Sequence, residues 1–190
     1  MRKCLVLDIE TANLDMDAEG LAFDNPQGWT TSCVGIYDIW EGESEGVHYY
    51  YVTDPNKIMT PELEEYNLGS MESLASTLEE CYKRGYYIIN KYETDDRHID
   101  ICQLLRDQYG YRFSLQNLVK GLYGEQESKT MDAAHAPKAW AKGDYQEVLD
   151  YCMHDCVLTA KVFFDAPKNS FEAVGFNGQR SKKHQIKVNW

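Results

Sequence analysis

Residues 3–9 form an almost unbroken apolar run, Lys-Cys-Leu-Val-Leu-Asp-Ile, near the start of the chain. A run of this kind, which does not alternate with polar residues, predicts a strand that is buried on both faces. Such a strand belongs at the centre of a sheet that other elements cover on both sides. This segment constrains the fold more than any other part of the chain.

The remaining hydrophobic pattern predicts an α/β fold. β-rich segments at 32–40 and 47–53 flank the turn-forming stretch 41–46, which predicts a hairpin, and a fourth strand is predicted at 86–90. Apolar residues at helical spacing predict four helices: 71–84 after a Ser70 cap, one from about residue 98, one capped by Ser114, and one from about Asp144 to Phe164. The order of these elements predicts a mixed central sheet with flanking helices.

Length and composition favour one domain. The chain has 190 residues, which suits a single core, over 1–166. The segment 124–143 is predicted to be irregular, and residues 167–190 a basic tail, packed on or extending from the same domain and strand-like over 185–190. No run approaches the roughly 18 apolar residues of a membrane span. With its scattered cysteines and no signal-peptide pattern, the protein is expected to be cytoplasmic, with no membrane partner.

The net charge bears on possible partners. At −12, it argues against a protein that grips duplex DNA through a broad basic surface. It does not argue against a nuclease, because bound cations reverse the local charge of clustered acids. It does favour weak unaided affinity for nucleic acid, or a protein partner that delivers the enzyme to its substrate.

The tripeptide Asp8-Ile9-Glu10 carries the first chemical signal. Residues i and i+2 of a strand point to the same face, so the two carboxylates project together from the end of a buried strand. Like charges side by side are unfavourable unless a cation lies between them, and hard oxygen ligands suit Mg²⁺ or Mn²⁺. The alternative is that both acids lie where the strand emerges into solvent.

The second signal lies in the last long helix, in the segment Tyr151-Cys-Met-His-Asp155. Residues four apart stack on one helix face, so Asp155 shares the otherwise apolar side of Tyr151. A carboxylate on a core-facing stripe is unusual without a partner. The alternative is an Asp that is bonded to the phenol or to a nearby lysine.

Together, the two segments resemble the first and third motifs of the DnaQ-like DEDDy 3′–5′ exonucleases, which belong to the RNase H-like superfamily. Asp8-Ile-Glu-Thr11 has the usual form of the first motif, and Tyr151 with Asp155 has that of the third. The likeness extends over about residues 3–164. The resemblance implies an RNase H-like mixed sheet with flanking helices.

The second motif departs from the family pattern, in which an Asn precedes an Asp that begins a helix. Asn90 and Asp95 keep an interval of five, but the apolar residue expected before the Asp is replaced by Thr94. The corresponding acid is therefore Asp95, Asp96 or Asp100. Spacing favours Asp95, with Asp100 as the alternative.

The resemblance also implies a mechanism, in which two Mg²⁺ or Mn²⁺ ions hydrolyse phosphodiester bonds at the 3′ end of single-stranded DNA or RNA. Metal ligands would be Asp8, Glu10, Asp155 and the second-motif acid, and Tyr151 would orient the attacking water. Thr11, Asn90, Phe23 and Trp29 would contact the substrate. The competing hypothesis is a catalytically degenerate member that acts as a nucleic-acid-binding or scaffold module, which the altered second motif favours.

Overall fold

A computed structural model of the protein describes residues 1–14, 19–21, 27–90, 97–124 and 134–190. Within these ranges, six strands form one mixed sheet in the order β4-β3-β2-β1-β5-β6. Their bounds are Lys3–Thr11 for β1, Thr31–Trp40 for β2, Val47–Val52 for β3, Leu68–Ser70 for β4, Tyr87–Asn90 for β5 and His98–Asp100 for β6. The predicted mixed central sheet with flanking helices is confirmed.

Strand β1 lies inside the sheet, as its apolar run predicts. It pairs antiparallel with β2 along its whole length and parallel with β5. Strands β2 and β3 form the predicted antiparallel hairpin. Residues Cys4 to Leu7 of β1 are all buried, whereas Ile9 is 45% exposed, so the strand leaves the core where its acids begin.

The helices lie on both faces of this sheet. Their bounds are Pro55–Ile58 for α1, Met71–Lys83 for α2, Ile101–Tyr109 for α3, Leu115–Tyr123 for α4, Ala136–Lys142 for α5 and Tyr145–Asp165 for α6. The Ser114 side chain caps α4 as predicted, by accepting a hydrogen bond from the Asn117 backbone N–H. Ser70 occupies the N-cap position of α2, but its side chain makes no capping hydrogen bond.

The alternation of side chains along the strands divides the core in two. Cys4 and Val6 of β1 face a large apolar cluster built with α6, whose members include Leu149, Leu158 and Phe163. Leu5 and Leu7 face a smaller cluster covered by α2. Because Asp8 and Glu10 continue the Cys4–Val6 side of the strand, they lie on the face that α6 covers.

Three predictions of secondary structure are wrong. The helix expected from about residue 98 begins at Ile101, because His98–Asp100 pair with β5 as a short parallel strand. Irregular structure was expected over 124–143, but Ala136–Lys142 form α5, which begins with a proline in its first turn and ends at Gly143 with a positive φ of 91°. The C-terminal strand expected over 185–190 instead runs over Ser181–Ile186 (β8), because it pairs with Phe171–Phe176 (β7) in a hairpin.

The hairpin packs directly on α4. Phe171, Ala173 and Ile186 are buried at this contact, while alternate residues of β7 face outward. Gly121 of α4 permits the close approach, because a Cβ atom there would overlap the backbone carbonyl of Glu172. In the part of the chain that the structure describes, no helix has both the length and the apolar character needed to cross a bilayer.

Candidate metal centre

Two carboxylates stand at the carboxyl end of β1. Asp8 is half-buried and Glu10 is only 8% exposed, although Ile9 between them is largely open to solvent. Opposite them in β2 lie Gly35, paired with Asp8, and Cys33, paired with Glu10. Directly opposed residues of antiparallel strands share a face, so these four positions form one surface beneath α6.

Helix α6 approaches this surface closely. The Cys152 thiol donates a hydrogen bond to the backbone carbonyl oxygen of Asp8 over 3.5 Å, and the Cys156 thiol donates one to that of Gly35 over 3.4 Å. A Cβ atom at Gly35 would lie only 3.1 Å from the Cys152 sulfur and 3.2 Å from the Cys156 sulfur. The missing side chain at Gly35 therefore brings the helix against the strand that bears the carboxylates.

The approach of α6 creates a set of three donors. Ligand atoms of Asp8, Glu10 and Cys152 all lie within 4.8 Å of one another, and this buried cluster could hold a metal ion. The two carboxylates supply the hard oxygen donors that Mg²⁺ and Mn²⁺ require, and they fit such ions. The third donor is a soft sulfur, which suits Zn²⁺ rather than Mg²⁺.

Three buried thiols, those of Cys33, Cys152 and Cys156, lie together at the centre. Hydrogen bonding with Cys156, followed by that with Cys33, lowers the pKa of the Cys152 thiol well below its usual range, and burial opposes this effect. Burial, the hydrogen bond to Cys152 and the nearby Asp8 and Asp155 carboxylates raise the pKa of the Cys156 thiol. The hydrogen bond to Cys152, followed by burial, raises that of Cys33.

The predicted third-motif residues lie on the covered side of α6. Tyr151 is 2% exposed and Asp155 is 3% exposed, and Tyr151 packs within the larger apolar cluster. Asp155 lies three residues after Cys152, hence on a neighbouring position of the same helix face. It influences the Cys156 thiol together with Asp8, so the α6 acid and the β1 acid lie on the same side of the sheet, near one sulfur.

The second-motif region begins at the same end of the sheet. Ile89 of β5 pairs in parallel with Val6 of β1. Asn90, the next residue and the last of β5, therefore lies beside the part of β1 that leads to Asp8. Asp95 and Asp96 lie outside the described residues. Asp100 is buried, ends β6, and caps α3 by accepting a hydrogen bond from the Gln103 backbone N–H over 2.9 Å. Two strand spacings, about 10 Å, separate β6 from β1.

Two predicted substrate contacts lie around the carboxyl end of β1: Thr11 is its last residue, and Trp29 lies just before β2. Thr11 and Trp29 are both half-buried, and Thr11 pairs with Thr31 past a register shift. Asn13 holds the returning chain in place, because its side chain accepts a hydrogen bond from the Thr30 backbone N–H over 2.6 Å and donates one to Gly28. Phe23 lies outside the described residues.

Sequence analysis missed Cys152, Gly35 and Asn13. The spacing of Cys152 three residues before Asp155 placed the thiol on the acid's helix face, and this signal pointed toward the site. Nothing local marked Gly35 or Asn13, because the role of each depends on a segment that is distant in sequence. Comparison of the chain with protein-family models, curated proteins and solved structures finds no match.

Proposed function

We propose that this protein is a metal-dependent 3′–5′ exonuclease of single-stranded nucleic acid, built on an RNase H-like version of its mixed sheet. One observation carries the proposal: the Asp8 and Glu10 carboxylates converge at the end of a central strand, where their ligand atoms and the Cys152 sulfur of α6 all lie within 4.8 Å of one another. Two carboxylates that project side by side repel each other unless a cation lies between them, so the convergence of Asp8 and Glu10 favours a metal-binding role.

The long helix supports the proposal through its buried polar residues. Asp155 is 3% exposed on a helix side that is otherwise apolar, and a buried acid of this kind is expected to have a function or a partner. Asp155 lies outside the group of three donors that Asp8, Glu10 and Cys152 form, but like Asp8 it lies near the Cys156 sulfur, and it would serve as a further ligand from α6. Tyr151, one turn earlier, would hydrogen-bond the attacking water, and its burial would keep the phenol in a fixed orientation.

A fourth acid would complete the ligand set, and the sequence spacing from Asn90 favours Asp95. Asn90 is the last residue of β5, which pairs in parallel with β1, so it lies at the same end of the sheet as Asp8. Asp100, the alternative, lies two strands from β1 and already uses one carboxylate oxygen to cap α3. The capping role accounts for its burial without any metal.

When bound, Mg²⁺ or Mn²⁺ would supply a low-pKa water and neutralise charge on the phosphate. Asp8 and Glu10 would hold the ions at the carboxyl end of β1. Without bound ions, the negative charge of these two side chains would repel the substrate. Thr11 and Trp29, near the hydrogen bond by which Asn13 holds Thr30, would contact the terminal nucleotide. A binding pocket that accepts a free 3′ end would then determine the polarity of degradation.

Degradation of labelled oligonucleotides tests the proposal. Single-stranded DNA and RNA, each labelled at the 5′ end and carrying either a free or a phosphorothioate-blocked 3′ end, would be incubated with Mg²⁺ or Mn²⁺. Stepwise shortening from the free 3′ end with release of mononucleotides is expected. EDTA should stop the reaction, and Asp8→Asn should reduce it by several orders of magnitude, because it removes a shared ligand.

Asp150→Asn is the matched control. It removes one negative charge from α6, as Asp8→Asn does from β1, but Asp150 is exposed and hydrogen-bonds to the Tyr66 hydroxyl. Its activity should equal that of the wild type. Activity that persists in EDTA or in Asp8→Asn would refute the proposal. Metal-dependent retention of oligonucleotides without turnover would instead favour the degenerate binding module.

A further inference from the structure

The sulfur of Cys152 would give this centre a preference for thiophilic metal ions, which two carboxylates alone would not have. We infer that Asp8, Glu10 and Cys152 together bind a thiophilic divalent ion of the Zn²⁺ class, in competition with Mg²⁺ or Mn²⁺ at the carboxylates. The inference concerns the same pair of carboxylates as the proposed exonuclease site, but it does not require nuclease activity.

The donor set matches the chemistry of such ions. Zn²⁺ binds thiolate sulfur and carboxylate oxygen in a tetrahedral arrangement, and three protein ligands leave one position for water. The ligand atoms of Asp8, Glu10 and Cys152 lie within 4.8 Å of one another, so small side-chain movements suffice to bring all three to one ion. Mg²⁺ gains nothing from the sulfur, since it prefers oxygen in octahedral geometry.

The surroundings of the sulfur also support ligation. Cys152 is wholly buried, and Cys33 and Cys156 hydrogen-bond to its sulfur. Hydrogen-bonding neighbours of this kind orient a metal ligand and adjust its electron density. Access is available through Asp8, which is only half-buried.

Metal binding by the full-length protein tests the inference without any substrate. Protein stripped with EDTA and kept reduced with a phosphine would be titrated with CdCl₂, a spectroscopic substitute for Zn²⁺, and with ZnCl₂ by calorimetry. A sulfur-to-cadmium charge-transfer band that saturates at one ion per chain is expected. In Cys152→Ser, the band should be lost and the Zn²⁺ affinity should fall at least ~10-fold, while the Mn²⁺ affinity should change less than about twofold.

Cys156→Ser is the matched control, because Cys156 is equally buried on the same helix face and contacts the same glycine, but lies outside the donor set. It should retain the band. Glu10→Gln keeps the thiol in place and should weaken Cd²⁺ binding, which covers the case in which Cys152→Ser does not fold.

The outcomes separate this inference from the proposed function. Cadmium binding through Cys152 in a protein that releases no nucleotides would support the inference and refute the exonuclease proposal. Nuclease activity with Mg²⁺ in a protein that shows no charge-transfer band would do the reverse. A band that survives Cys152→Ser and disappears in Cys156→Ser would overturn the inference, since the ion would then lie elsewhere among the thiols.

Discussion

The Cys152 thiol donates a hydrogen bond to the backbone carbonyl oxygen of Asp8, although the two residues are 144 positions apart in the chain. This contact fixes the last long helix against the strand that carries the candidate metal ligands. It also brings the Cys152 sulfur beside the Asp8 and Glu10 side chains. The position of α6 on β1 therefore determines the chemistry of the centre.

Replacing Gly35 with alanine should push α6 away from the centre. The new Cβ would lie 3.1 Å from the Cys152 sulfur and 3.2 Å from the Cys156 sulfur, which is tighter than ordinary packing. Overpacking of this kind costs about 1–3 kcal/mol of unfolding free energy, measurable by urea denaturation. Adding Cys156→Ala should restore part of the loss, and a purely additive double variant would contradict the proposed contact.

Divalent ions should stabilise the wild-type protein through the carboxylate pair. Mn²⁺ is expected to raise the melting temperature of EDTA-treated protein by mass action, because it binds only the folded centre. Asp8→Asn should raise the melting temperature without ions, since it relieves repulsion with Glu10, and should remove the response to Mn²⁺. An unchanged melting temperature of the wild type across a Mn²⁺ titration would count against the site.

The second-motif acid can be assigned by comparing two variants. Asp95→Asn should abolish exonuclease activity and leave thermal stability nearly unchanged, because an acid that binds metal contributes little to the fold without it. Asp100→Asn should reduce activity and thermal stability only slightly, since asparagine also caps helices. Asp100→Ala should lower the free energy of unfolding by about 1 kcal/mol, because the cap of α3 is lost. Loss of activity in Asp100→Asn but not in Asp95→Asn would assign the metal ligand to Asp100. Near-normal rates in both variants would show that the second motif has been lost or that Asp96 is the ligand.

Tyr151→Phe should distinguish the role of the Tyr151 hydroxyl in orienting the attacking water from the role of its ring in packing. The ring remains in the core, so the free energy of unfolding should change by no more than roughly 1 kcal/mol. If the phenol positions the attacking water, kcat should fall about 100-fold, while KM stays close to that of the wild type. Steady-state kinetics on a 3′-labelled oligonucleotide measures both, and an unchanged kcat would exclude this role.

His184 should make stability depend on pH. Its ring lies 4.3 Å from that of Tyr111, 5.6 Å from that of Phe113 and 5.8 Å from that of Tyr109, and its Nε2 is buried without a hydrogen bond among the described residues. Burial, followed by the charge of Lys182, lowers the pKa of this imidazole below its usual value.

Because the folded protein disfavours the charged imidazole, this contribution to stability is present above the unfolded pKa of about 6.5 and is lost as the pH falls through the lower folded value. The free energy of unfolding should therefore decrease between pH 7 and pH 5, and His184→Phe should flatten this slope. Urea denaturation at several pH values measures it, and equal slopes in both proteins would argue against His184 as the cause.

Local pattern alone was enough to predict the main strands and the long helices. The apolar run of β1, the turn between β2 and β3, and the helical spacing in α6 are each contained within one segment, so periodicity reveals them. Period-2 alternation also placed Asp8 and Glu10 on one face before any tertiary contact was known. The burial of Asp155 followed from its place on the apolar stripe of α6.

Only tertiary structure decided the rest, because the deciding contacts join distant segments. His98–Asp100 form a strand only by pairing with β5, and a three-residue segment has no periodicity of its own. By its sequence context, Cys152 is an ordinary core residue. Only the packing of α6 on Gly35 brings its sulfur close to Asp8 and Glu10. Sequence thus determined which side chains share a face of each element, while packing between elements determined which faces meet and which donors could share an ion.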